Sequence, residues 1–167
     1  QHKQICSVSF SVPWDGLRNL NNIYQTVCQL ENLQELELAL GEPLQAETIR
    51  MYVNNPMIHT LYYFEVMTPV PTDSVAFAFA LGEFFSKLEN LKHASVSLLE
   101  DRYTEMSDLE VDPIMNGISA CKKLTTLEYY KQIKKPQDLI NLSKQISCLR
   151  ELQKLKLGVE IYDPKMK

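Results

Sequence analysis

His93, Ser95 and Ser97 stand two residues apart in the run KHASVS. On an extended strand that spacing puts all three side chains on one face. A histidine base beside a serine nucleophile is the pairing that acyl transfer needs, so a hydrolase using His93 is one reading. A polar strip on a solvent-facing strand is the simpler reading of the run and the favoured one. The chain has 3 histidines, His2, His59 and His93, and no G-x-S-x-G or H-E-x-x-H motif. Its 5 glycines form no phosphate-cradling loop. Cys6, Cys28, Cys121 and Cys148 include no C-x-x-C pair, so neither a zinc cluster nor a redox motif is expected. Cys28, Cys121 and Cys148 read as small buried core residues with free thiols. The stretch EDRYTEMSDLEVD at 100–112 holds six carboxylates but lacks the alternating spacing of a calcium loop. It reads as a long loop in which Tyr103 and Met106 could make contacts. No cofactor, no metal and no catalytic set is expected.

Charge is unevenly distributed. Residues 1–120 hold 6 Lys+Arg against 16 Asp+Glu, a net of −10, while residues 121–167 hold 11 against 5, a net of +6. The basic end, with Lys122, Lys123, Lys131, Lys134, Lys135, Lys144, Lys154 and Lys156, offers an RNA-contacting reading. The overall charge of −4 and the scarcity of arginine there, Arg150 being the one example, serve phosphate recognition poorly. The longest apolar run, VAFAFAL at 75–81, falls far short of the ~20 residues of a membrane-spanning helix. No signal peptide is visible and cysteine is sparse, so an intracellular location, cytoplasmic or nuclear, is expected.

The elements that would position these side chains emerge from internal repetition. LENLQELEL at 30–38, LENLKHASVSL at 88–98 and CLRELQKLKL at 148–157 share an L-x-x-L-x-x-L-x-L pattern. Cys121, Leu124, Leu127 and Tyr129 fit it too, and weaker copies begin at Ile5 and Ile58. The third apolar column falls at Val8, Leu36, Phe64, Ala94, Leu127 and Leu155, in steps of 28, 28, 30, 33 and 28 residues. The end of each copy alternates apolar and polar residues, which predicts a strand. The intervening segments carry helical spacing at Leu17–Val27, Val75–Leu88, Ile114–Cys121 and Leu139–Leu149, with a weaker helix over 46–55 ended by Asn54, Asn55 and Pro56. Thr72 or Asp73 and then Asp112 are the expected N-caps, and Pro113 and Pro136 the expected helix openings. A strand–helix unit of about 28 residues cannot bury its apolar face alone, but stacked copies can.

In these columns the chain resembles the leucine-rich repeat family, in the helix-containing type of ribonuclease inhibitor. It is also similar to the divergent arrays of ciliated protists. The resemblance covers nearly all of residues 1–167, read as one domain and as a fragment of a longer chain or array. It implies an α/β solenoid, a curved horseshoe of about six strand–helix repeats, with a parallel sheet on the concave face and helices on the convex face. It also implies a protein–protein interaction scaffold within a larger complex. The family's regular Asn or Cys after the strand is missing here, as is its glycine before the helix in most copies, so irregular turns are expected.

The alternation then assigns faces. The columns Val8/Leu36/Phe64/Ala94/Leu127/Leu155 and Phe10/Leu38/Val66/Val96/Tyr129/Leu157 should be buried against the helices. Leu17, Leu20, Val27, Leu81, Phe85, Ile118, Leu139 and Ile146 should face the sheet, and Asn21, Lys87, Lys122 and Lys144 should face water. The residues between the columns should line the other face as ladders ~4.8 Å apart. One ladder reads Ser9, Glu37, Glu65, Ser95, Glu128, Lys156. Three glutamates there repel one another and gain nothing for folding. Flanked by Tyr63, Met67 and Tyr130, they suit a basic protein segment with some apolar surface. The expected partner-binding set is Glu35, Glu37, Tyr63, Glu65, Met67, His93, Glu128, Tyr130, Lys154 and Lys156.

Overall fold

The computed structural model describes residues 5–12, 25–99, 112–133 and 136–161. Within them, period-two segments form strands and longer amphipathic segments form helices, alternating along the chain. The strands are β1 (Ser7–Val12), β2 (Glu35–Leu40), β3 (Tyr63–Pro69), β4 (His93–Leu99), β5 (Thr126–Ile133) and β6 (Lys154–Ile161). The helices are α1 (Ala46–Val53), α2 (Ser74–Lys87), α3 (Pro113–Ser119) and α4 (Pro136–Ile146), with a short 3-10 turn at Pro56–His59. Residues 25–27 are also helical. The six strands form one parallel sheet in sequence order. The pairing joins Val8 to Leu36, Leu36 to Phe64, Phe64 to Ala94, Ala94 to Leu127 and Leu127 to Leu155, which is the register expected from the repeat.

Each strand begins with the same hydrogen-bond device. The carbonyl of Cys6 accepts from the amides of Gln34 and Glu35, and that of Gln34 accepts from Tyr62 and Tyr63. Tyr62, Lys92 and Thr125 repeat this toward Lys92 and His93, Thr125 and Thr126, and Gln153 and Lys154, with every N···O distance between 2.8 and 3.1 Å. One carbonyl thus fixes two amides of the following unit, and the alternation cannot slip by a residue. Ahead of these sites the L-x-x-L pairs close tight turns. The amides of Leu33, Leu91, Leu124 and Leu152 donate to the carbonyls of Leu30, Leu88, Cys121 and Leu149. The turns are also stitched by side chains: Thr60 Oγ1 donates to the Leu33 carbonyl at 2.6 Å, and Asn90 Nδ2 donates to that of His59 at 2.7 Å.

The helix caps are local consequences of sequence. The Asp73 carboxylate accepts from the amide of Ala76 at 3.0 Å and starts α2. Asp112 accepts from Ile114 and Met115 at 3.0 and 3.3 Å and starts α3 at Pro113. Its second oxygen accepts from the Tyr129 hydroxyl at 2.7 Å, so one carboxylate caps a helix and satisfies a buried phenol. The helices lie in a row on one side of the sheet. Leu36, Leu38, Phe64, Val66, Ala94, Val96, Leu127 and Tyr129 are buried against them. Phe64 meets Phe84 and Phe85 edge-on at ring distances of 5.0 and 5.6 Å.

Packing between α2 and α3 is closer than side chains permit. A Cβ built on Gly82 would lie 2.2 Å from the Pro113 carbonyl oxygen, and one on Gly117 would lie 2.0 Å from that of Gly82. The two helices therefore touch backbone to backbone.

Four expectations are corrected. Leu155 and Leu157 are 43% and 38% exposed, because no described helix lies over the inward face of β6. Leu139, expected against the sheet, is 40% exposed, since α4 is the last helix and its outer flank has no neighbour among the described residues. Val8 and Phe10 are only half-buried, at the opposite end of the sheet. Of the cysteines expected in the core, Cys121 is buried, Cys28 is half-buried and Cys148 is exposed. Burial pushes the Cys121 thiol up to about 12. Val27, Leu81, Phe85 and Ile118 are buried, Ile146 packs on the core, and Lys87, Lys122 and Lys144 are exposed, as expected. Leu17, Leu20, Asn21, Tyr103 and Met106 lie outside the described residues. Among those described, no helix is long and apolar enough to cross a membrane.

Candidate functional site

The strand register fixes the face of the sheet opposite the helices. In successive positions it carries three rows: Ser7, Glu35, Tyr63, His93, Thr126, Lys154; then Ser9, Glu37, Glu65, Ser95, Glu128, Lys156; then Ser11, Ala39, Met67, Ser97, Tyr130, Gly158. All ten residues expected to contact a partner stand on this one surface. Most of its side chains are half-buried or exposed, and Met67 is exposed. Ser95 is buried, being short and placed between Glu65 and Glu128 in its row.

The carboxylates differ in what they meet. Glu128 accepts from Lys154 Nζ at 3.1 Å and from Lys156 Nζ at 3.3 Å. The Lys154 hydrogen bond is the main reason its carboxyl titrates below the usual range. Lys156 also lies over the Tyr130 ring, 5.3 Å from its centroid. Contact with Tyr130 and with Glu128 raises its affinity for its proton. A Cβ on residue 158 would lie 2.0 Å from the Tyr130 ring, so Gly158 is the seat on which that ring rests. Glu35 accepts from Tyr62 Oη at 2.5 Å, which lowers its pKa. Glu65 accepts from Tyr63 Oη at 2.8 Å. Glu37 and Glu65, directly paired across β2 and β3, have no cationic partner among the described residues.

Tyr63 and His93 stack face to face, with ring centroids 4.2 Å apart and planes 7° from parallel. Burial and the Glu65 hydrogen bond raise the Tyr63 pKa, so its hydroxyl remains a donor at neutral pH. The two rings stand at the centre of the top row, Tyr63 one strand from Glu37 and His93 one strand from Glu65. His93 Nδ1 and Nε2 make no hydrogen bond to Ser95 or Ser97. The contact that orients this imidazole is an aromatic one.

Burial also lowers the His93 pKa, against the opposing pull of Glu128 and Glu65. The folded state therefore favours the neutral ring, and the unfolded chain takes up the proton more readily. This contribution to stability is complete above the ordinary histidine value near 6.5 and is lost as pH falls below it. The expected NMR titration of His93 has its midpoint below the ordinary histidine value near 6.5. A midpoint above 6.5 would mean that the acidic row dominates burial.

Reading the sequence missed Tyr62 as a partner of Glu35, because Tyr62 precedes β3 and belongs to no face of it. It also missed the Lys154–Glu128–Lys156 clamp, although the register that forms it was predictable from the columns. No protein-family model matches the chain, and no curated protein matches it.

Proposed function

We propose that this chain is a helix-containing leucine-rich-repeat solenoid and serves as a non-catalytic protein-interaction scaffold. On this reading the open sheet face is the concave one, and it receives a basic protein segment. The recurrence of one carbonyl holding two amides, at nearly constant spacing, supports a repeat architecture. The observation that carries the functional reading is the contrast between carboxylates. Glu128 is neutralised by two lysines of the same chain, whereas Glu37 and Glu65 stand together without a cation among the described residues. Tyr63 and the exposed Met67 beside them supply the aromatic and thioether surface that interface centres favour.

The test uses the chain as bait for partners from its native source, compared with the Glu37→Lys, Glu65→Lys double variant. Both positions are on the solvated face, so the fold should survive. Retention of a stoichiometric protein partner should fall roughly tenfold at low salt, and less at moderate salt where screening weakens steering. Unchanged retention in both salts would move the contact to the 100–112 segment or to the basic end. Recovery of RNA with the unmodified chain would favour the RNA-contacting reading through residues 121–167.

A further inference from the structure

Among the described residues nothing covers the apolar side or the outer edge of β6. In β2 to β5 the two central inward positions are buried without exception: Leu36 and Leu38, Phe64 and Val66, Ala94 and Val96, Leu127 and Tyr129. In β6 the same positions, Leu155 and Leu157, are exposed. Leu139 and Ile140 of α4 are exposed as well. Among the described residues β6 pairs with β5 only, which leaves one edge of an eight-residue strand without a ladder. Such an edge is a template for a further strand.

The side chains on the open face select what that strand carries. Lys154 and Lys156 have side chains 65% and 58% exposed, and they share the single carboxylate of Glu128. One positive charge is left in excess. A second β6 edge would bring lysine against lysine. The β1 edge of a second copy would present only Ser7, Ser9 and Ser11. A strand with carboxylates would place each lysine between two anions.

We infer that the β6 edge is a second interaction site, which accepts a parallel strand of another protein with apolar residues beside Leu155 and Leu157 and carboxylates beside Lys154 and Lys156. This edge lies three strands from Glu65, at the far end of the same open face, and the chain itself contains a strand of the required pattern. In β2, Glu35 and Glu37 alternate with Leu36 and Leu38.

A labelled peptide with the sequence of residues 33–41, LQELELALG, is therefore a suitable probe. In parallel register it sets its two glutamates beside Lys154 and Lys156. It should slow amide hydrogen exchange in residues 154–161. It should also bind roughly tenfold more tightly than the same peptide with both glutamates replaced by lysine. The Lys154→Glu, Lys156→Glu variant should reverse that preference, and reversal requires a folded edge, so loss of folding cannot imitate it. The Glu37→Lys, Glu65→Lys variant should bind the peptide as the parent does. Four results would overturn the inference. They are no slowing in 154–161, no reversal, slow exchange before peptide is added of the amides of 154–161 that do not donate to β5, and self-association of the parent chain that the peptide does not displace.

Discussion

Gly82→Ala should destabilise the protein by roughly 3 kcal/mol, at the upper end of the range for overpacking. Helix propensity alone gives the opposite sign, since alanine in a helix interior is favoured over glycine by about 1 kcal/mol. The added methyl would lie 2.2 Å from the Pro113 carbonyl oxygen and 2.8 Å from its carbon, both of them backbone atoms. No rotamer change relieves that contact, so α3 must move away from α2. Gly117→Ala meets the same obstacle from the other helix, 2.0 Å from the Gly82 oxygen. Once either methyl has separated the helices, the second adds little, so the double variant should cost less than the sum of the singles. Urea unfolding of the three variants measures this. A stabilised Gly82→Ala would show that the helices do not approach this closely.

Leu36→Ala should cost roughly 2–5 kcal/mol, whereas Leu155→Ala should cost about 1 kcal/mol. The two leucines occupy the same column of the repeat, at the register positions linked through Phe64, Ala94 and Leu127. Leu36 is fully buried, and its removal leaves a cavity between sheet and helices. Leu155 is 43% exposed, so truncation forfeits only part of the transfer free energy and leaves no enclosed void. The same denaturation experiment distinguishes them. Equal costs would mean that Leu155 is covered in solution.

That pair of leucines also marks how far the sequence could be read. The columns gave strand register to the residue, because a period of two tolerates no slip once one face is apolar and the other polar. The caps at Asp73 and Asp112 and the helix openings at Pro113 and Pro136 were legible for a similar reason, each being a local backbone requirement. What a column position cannot carry is whether a neighbouring unit exists to cover it, and Leu155, Leu157 and Leu139 were misassigned on that account. Read for what they could bind, the glycines are too few for a phosphate-cradling loop. Their role as a contact between two helices depends on residues 35 positions apart, 82 and 117, and no local pattern announces it. For the open face, the composition of each row followed from the alternation. The pairing of both lysines with Glu128 did not, since side-chain reach across a strand pair is decided in three dimensions.

The order of the strands has a consequence for cooperativity. Strand pairing and helix packing join elements that are consecutive in the chain, from β1 with β2 to β5 with β6 and from α1 with α2 to α3 with α4. Among the described residues no barrel or sandwich ties β1 to β6. Loosening at β1 therefore reaches β5 only through every unit between, and its influence fades with each interface crossed. Among the described residues β1 and β6 have one neighbouring strand each, while β3 and β4 have two and sit over the Phe64–Phe84–Phe85 cluster. Such a row of coupled units should open from β1 and β6 inward, with β3 and β4 the last.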